Sequence, residues 1–133
     1  MFRNLFSRKK TALAGAPAIR RMKTYSAQSG YVYQYFYEGQ REFRLGAERG
    51  TEYVFHISAD RKTWNDSSVR VGDSALAAWQ DGHGRELASS ERYAIAKMAL
   101  FQAFDERPTP KEMKDEIHVR MADVESIVET LGL

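Results

Sequence analysis

Polar and apolar residues alternate with a period of two between residues 31 and 58, which is the pattern of β-strands with one buried face. The first stretch carries a row of tyrosines that a strand would place on one face: Tyr31, Tyr33, Tyr35 and Tyr37. Turn-forming residues at 38–40 and 46–50 separate it from two further strands, predicted at 41–45 and 51–58. After a polar loop at 59–66, we expect a short strand at about 68–71. Connections this short favour an antiparallel meander of about four strands.

From residue 73 onwards the apolar positions take the three- and four-residue spacing of helices. A short helix is predicted from Asp73 or Ser74 to Gln80, and Gly82 and Gly84 would end it. The strongest helical pattern begins at residue 89 or 90 and continues to about 104. Because that helix is apolar on nearly all sides, we expect it to lie at the centre of the fold.

The last 26 residues predict two more helical segments and leave one stretch ambiguous. Thr109 and Glu112 have the spacing of a capping box around Pro110, so a brief helix should begin there. Residues 111–120 carry overlapping helix and strand signals, which leaves open a fifth short strand at 117–119. A final helix would end at Gly132. The sequence therefore predicts an α+β fold, with a meander of about four strands followed by three to four helices.

Composition narrows the class of protein further. The chain has 133 residues, of which 43% are hydrophobic and 29% are charged, so it is typical of a globular domain. It contains no cysteine, which excludes disulfide scaffolds, thiolate zinc sites, iron–sulfur clusters and thiol nucleophiles. There is no secretory signal pattern, so we expect a soluble, cytoplasmic protein. The domain is expected to span residues 24–133.

Residues 1–23 form a basic segment with no acidic side chain, whereas the rest of the chain is acidic overall. Its cationic residues are Arg3, Arg8, Lys9, Lys10, Arg20, Arg21 and Lys23. Such a segment could bind an anionic membrane surface, track nucleic-acid phosphates, act as an organelle transit peptide, or be a solvated tail. We predict a flexible tail interrupted at residues 15–17, and its partner stays open among these alternatives.

Two groups of residues could support catalysis, and neither has the context that catalysis needs. Tyr93 and Lys97 resemble the catalytic pair of short-chain dehydrogenases in spacing, but the chain lacks the glycine-rich turn that binds a dinucleotide. His83 lies among glycines and acids without a nucleophile that could be paired with it, so a helix terminus is the preferred interpretation. The histidines are too far apart in sequence to predict a metal site, and no cofactor is expected.

The tyrosine row and Trp64 are therefore the main candidates for function. The row could be core, a protein-binding surface, or a surface on which nucleic-acid bases stack. Trp64, in the polar loop, could be exposed or could fold back against the sheet. The leading hypothesis is a non-enzymatic domain that binds a protein partner, or a second copy of itself, through Tyr31, Tyr33, Tyr35, Tyr37 and Trp64. The alternative hypothesis is binding of nucleic acid or an anionic membrane through the basic segment, and a small enzyme is the least favoured hypothesis.

Overall fold

Five strands form one sheet, in which the order of the strands follows their order in the chain. The computed structural model describes residues 12–133. The strands are β1 (Lys23–Ser26), β2 (Val32–Leu45), β3 (Glu48–Ser58), β4 (Asn65–Gly72) and β5 (Ile117–Val119). Strands β1 to β4 are an antiparallel meander, and β5 pairs with β4 in the parallel direction.

Three α-helices cover one face of this sheet. They are α1 (Asp73–His83), α2 (Ser89–Glu106) and α3 (Met121–Leu131), and a 3₁₀ turn at Pro110–Lys114 precedes β5. Alternate residues of the strands, among them Tyr33, Phe55 and Val69, are buried against Ile95 and Phe104 of α2. We call this covered side of the sheet the inner face and the opposite side the outer face.

The predicted α+β fold is confirmed, as are the meander and the fifth strand. The ambiguous stretch at 111–120 contains both of the structures that its sequence indicated, first the 3₁₀ turn and then β5. Strand β5 can pair with β4 in the parallel direction because the long connection between them, which contains α1 and α2, returns the chain to the end of the sheet at which β4 begins. Gly84 ends α1 in the left-handed conformation, with φ of 61°, as predicted, whereas Gly82, which was also predicted to end the helix, lies within it.

The turn predicted at residues 38–40 is wrong. Strand β2 continues through these residues, and a β-bulge shifts its register between Tyr37 and Gly39. Gly39 has φ of 139° and lies so close to Ala14 that a Cβ would be 2.8 Å from the Ala14 carbonyl oxygen. Gly39 therefore allows a β-bulge and a close approach of two backbones. Both features favour glycine, as turns do, so the sequence did not distinguish them from a turn. The loop predicted at 46–50 is likewise shorter, since β3 begins at Glu48.

The described end of the basic segment lies along the edge of the sheet. Ala14 and Gln40 exchange two backbone hydrogen bonds of 2.8 Å, and β1 begins at Lys23. The domain boundary at residue 24 stays a prediction. Among the described helices, none has the length and the apolar character that a membrane crossing requires.

Candidate functional site

The tyrosine row lies mostly on the inner face. Tyr33 and Tyr35 are 0% and 5% exposed, and Tyr33 stacks on Phe104 with ring centroids 4.1 Å apart. Burial raises the pKa of both phenols. Tyr37 is half-buried, and only Tyr31, at 38% exposure, presents a large part of its ring to solvent. Tyr33 and Tyr35 are thus core residues, whereas a binding role on the surface stays a prediction for Tyr31.

Trp64 lies on the outer face, where it joins two aromatic side chains from neighbouring strands. His56 of β3 stacks on Trp64 with centroids 5.2 Å apart and planes at 10°, and Phe36 of β2 is 5.7 Å from Trp64. We call Phe36, His56 and Trp64 the Trp64 cluster. Its members are half-buried, and the exposed Val32 lies on the same face of β2. The three α-helices pack on the inner face, so none of them covers this cluster.

The loop before β4 holds Trp64 in place. One carboxylate oxygen of Asp60 accepts hydrogen bonds from the backbone N–H groups of Lys62 at 2.8 Å and Thr63 at 2.7 Å. These bonds lower the pKa of Asp60 to about 2. Arg61, which follows Asp60, has φ of 65°, an uncommon backbone conformation for a residue other than glycine. The loop is therefore a fixed turn that delivers Trp64 to the sheet.

Charged groups surround the Trp64 cluster on one side. His56 Nδ1 lies 2.9 Å from Asp66 Oδ1 and 3.5 Å from Glu38 Oε2, because strand alternation places Glu38 on the same face of β2 as Phe36, the residue opposite His56. These three groups have the donor types of a divalent-cation site. Glu38 already has a cationic partner, since Arg20 Nη1 lies 3.3 Å from it. The arrangement is thus a mixed-charge rim beside an aromatic centre.

A second polar group stabilises the centre of the outer face. Glu52 of β3 is buried there and accepts a 3.3 Å hydrogen bond from Arg41 Nε. Arg70 of β4 lies 4.0 Å from Glu52 and forms a 3.0 Å ion pair with Glu116. Burial alone would raise the pKa of Glu52, but the Ser68 hydroxyl and the Arg41 guanidinium favour the carboxylate and hold the pKa below its ordinary value.

The two groups considered for catalysis lie in different surroundings, with Tyr93 in the wall of a cavity and His83 at the end of α1. Burial raises the pKa of Tyr93, which is opposite to the shift that a tyrosine base needs. His83 stacks on Trp79 with centroids 4.3 Å apart, and its Nδ1 lies 2.8 Å from the Trp79 carbonyl oxygen. His83 is therefore held at the end of α1, as the helix-terminus interpretation predicts.

The cationic residues of the basic segment do not form one group in the structure. Arg3, Arg8, Lys9 and Lys10 lie outside the described residues. Arg20 extends over the outer face, where its guanidinium lies 5.7 Å from the centroid of Phe36. Arg21 and Lys23 instead line a cavity at the edge of β2. No sequence pattern indicated a contribution of Phe36, His56 and Glu38, because only the strand register brings these three residues together.

No protein-family model, curated protein or solved structure matches the chain.

Proposed function

We propose that the protein is a non-enzymatic binding domain and that its outer face binds a protein partner centred on the Trp64 cluster. The observation that carries the proposal is the stacked, half-buried aromatic group on a sheet face that no described helix covers. Aromatic side chains of this kind supply large contact area with few rotatable bonds, and they dominate the energetics of many interfaces.

The charges on the outer face favour a protein over a nucleic acid. Asp66 and Glu38 lie directly beside the cluster, and an exposed carboxylate would repel a phosphate backbone. The same carboxylates suit a partner that presents apolar side chains to Trp64 and a basic group to Asp66, which is 56% exposed. The mechanism is burial of rigid rings inside a charged rim, so its affinity should depend only weakly on salt.

Site-specific photo-crosslinking can locate the interface. A photoreactive amino acid at Val32 places the probe on the outer face, and the same probe at Met121, which is 58% exposed at the start of α3, is the control. We expect a protein to crosslink at position 32 and not at 121. The crosslinked protein is then purified, and its affinity for Trp64→Ala and for Tyr31→Ala is compared with the unchanged chain.

We expect Trp64→Ala to weaken binding at least about 30-fold, which corresponds to the loss of an interface hot spot. Tyr31→Ala should change the affinity little. The opposite order would favour the tyrosine row over the Trp64 cluster. Crosslinking only at position 121, or unchanged affinity in Trp64→Ala, would remove the outer face from consideration.

A further inference from the structure

A cavity of about 380 Å³ lies at the edge of β2, between the strand and the basic segment. Its origin is a mismatch in chain length. Ala14 pairs with Gln40 and Lys23 pairs with Tyr35, so nine residue steps of the basic segment run beside five steps of β2. The surplus must bow away from the strand, which leaves the space. We call it the edge pocket.

Two cationic residues line the edge pocket, and a third lies beside one of its walls. The two that line it are Arg21 and Lys23. Lys23 lies opposite Tyr35 in the sheet register, so both side chains are on the inner face, and Lys97 of α2 places its Nζ 5.9 Å from the centroid of the same Tyr35 ring. Within the described part of the chain, no carboxylate lies within 4.0 Å of a side-chain nitrogen of these three residues.

The proximity of Lys23 and Lys97 is electrostatically unfavourable. Burial lowers the pKa of Lys97, and the neighbouring Lys23 lowers it further by hydrogen bonding and charge repulsion. Ammonium groups held together without a counter-charge destabilise a fold unless an anion joins them. A bound anion would reverse the sign of that interaction.

The remaining wall is aromatic. Tyr35, Phe36, Tyr37 and Tyr93 line the pocket, and Tyr37 and Tyr93 contact each other edge to face with centroids 4.8 Å apart. The volume lies within the range of about 300 to 1,000 Å³ that small-molecule sites occupy. The pocket thus combines a cationic end with an apolar, aromatic body.

We propose that the edge pocket binds a small phosphate-bearing organic molecule, with the phosphate between Lys23, Lys97 and Arg21 and the apolar or aromatic body against Tyr35 and Tyr93. A phosphate fits better than a carboxylate because it carries up to two negative charges and three acceptor oxygens for three cations. The edge pocket shares Phe36 with the Trp64 cluster, but the cations and tyrosines that carry this inference take no part in the proposed protein interface.

Phenyl phosphate is a suitable first probe, because it carries both parts of the expected ligand. Its binding is measured by calorimetry and compared with phenol, which lacks the phosphate, and with inorganic phosphate, which lacks the ring. We expect phenyl phosphate to bind more tightly than either fragment. Absence of phenyl phosphate binding up to about 10 mM would overturn the proposal.

Two lysine variants separate a ligand site from a structural role. Lys97→Met and Lys23→Met should each weaken phenyl phosphate binding at least about tenfold, whereas the exposed Lys62→Met should not. The melting temperature of Lys97→Met should be equal to or above that of the unchanged chain, because the substitution removes repulsion and retains the apolar stem. Lys97→Arg should restore part of the binding. Unchanged binding in both methionine variants would overturn the proposal.

The phosphate could belong to a soluble molecule or to a lipid headgroup, and the same variants distinguish these sources. Sedimentation with phosphatidylcholine vesicles that contain a phosphoinositide tests the second source. Vesicle binding that Lys97→Met weakens and phenyl phosphate displaces would identify a headgroup. If the protein bound phenyl phosphate but not the vesicles, the ligand would be a soluble molecule. Binding to vesicles or to RNA that neither substitution nor phenyl phosphate affects, with no phenyl phosphate bound, would contradict the edge pocket as the anion site.

Discussion

Gly50 lies in β3 beneath the ring of Phe43, at a position with no room for a side chain. A Cβ there would overlap the Val71 carbonyl oxygen and would lie 2.7 Å from Phe43 Cε1. We expect Gly50→Ala to lower the free energy of unfolding by about 2 kcal/mol, because either the strand or the ring must move. A urea titration monitored by circular dichroism would measure the change.

Gly82 offers a control of the opposite sign for this substitution. It lies in α1, where an added Cβ would meet nothing within 4 Å. Gly82→Ala should therefore raise the free energy of unfolding by up to about 1 kcal/mol, through the higher helix propensity of alanine. If both substitutions changed stability in the same direction, the steric explanation for Gly50 would be wrong.

The position of a single residue in the fold could be predicted from sequence only where the neighbouring residues determined its surroundings. The alternation at 31–37 correctly placed the tyrosines on one face, but whether helices covered that face depended on distant segments. Trp64 was recognised because a tryptophan in a polar loop is conspicuous. Its partners Phe36 and His56 were not recognised, because 20 and then 8 residues of chain separate groups that only the strand register brings together.

At the scale of elements, helices were predicted more accurately than the first strands. The periodic segments at 73–80 and 89–104 correspond to α1 and α2, because helical periodicity is a local signal. Strand β1 escaped prediction, since Lys23–Ser26 is mostly polar and its stability comes from its neighbours. The bulge in β2 was predicted as a turn, because glycine serves both structures.

The attachment of β1 to α2 can be tested through one hydroxyl. Tyr25 stacks on Phe101 with centroids 4.4 Å apart, and its hydroxyl donates a 2.8 Å hydrogen bond to Asp105. Burial and this bond raise the pKa of Tyr25 to about 12. Tyr25→Phe retains the stack and removes the bond, so we expect a loss of about 1 kcal/mol in the free energy of unfolding.

Hydrogen exchange would show where that loss is felt. Amide protection should fall in β1 and at Gln28, whose N–H also donates to Asp105, and should be retained in β3. A uniform loss of protection across the sheet would mean that Tyr25 supports the whole fold instead of the edge strand.

For the whole molecule, the two candidate sites depend on different levels of organisation. The Trp64 cluster follows from strand order and register, whereas the edge pocket needs the basic segment, β2 and α2 together. Lys23 and Lys97 are 74 residues apart in sequence, so the chain alone gave no reason to connect them. The helices among residues 12–133 pack on the inner face, which leaves the outer face of the sheet free of described helices.

The Arg41–Glu52–Arg70–Glu116 ion group connects β2, β3 and β4 with the residue before β5, so its titration should affect global stability. The pKa of Glu52 is lower in the folded chain than its ordinary value of 4.5. Its carboxylate therefore stabilises the fold above about that pH, and this stabilisation is lost as the pH falls through the folded-state pKa. We expect the free energy of unfolding to decrease as the pH falls below about 4.5.

Glu52→Gln should lower the free energy of unfolding by about 2 kcal/mol at pH 7, because it removes the carboxylate that Arg41 and Arg70 share, and should make the decrease toward acid shallower. The exposed Glu42→Gln serves as the matched control and should leave both the stability and its pH dependence nearly unchanged. Urea titrations at several pH values measure all three proteins. If the free energy of unfolding of Glu52→Gln decreased equally steeply toward acid, the acid sensitivity would belong to other carboxylates.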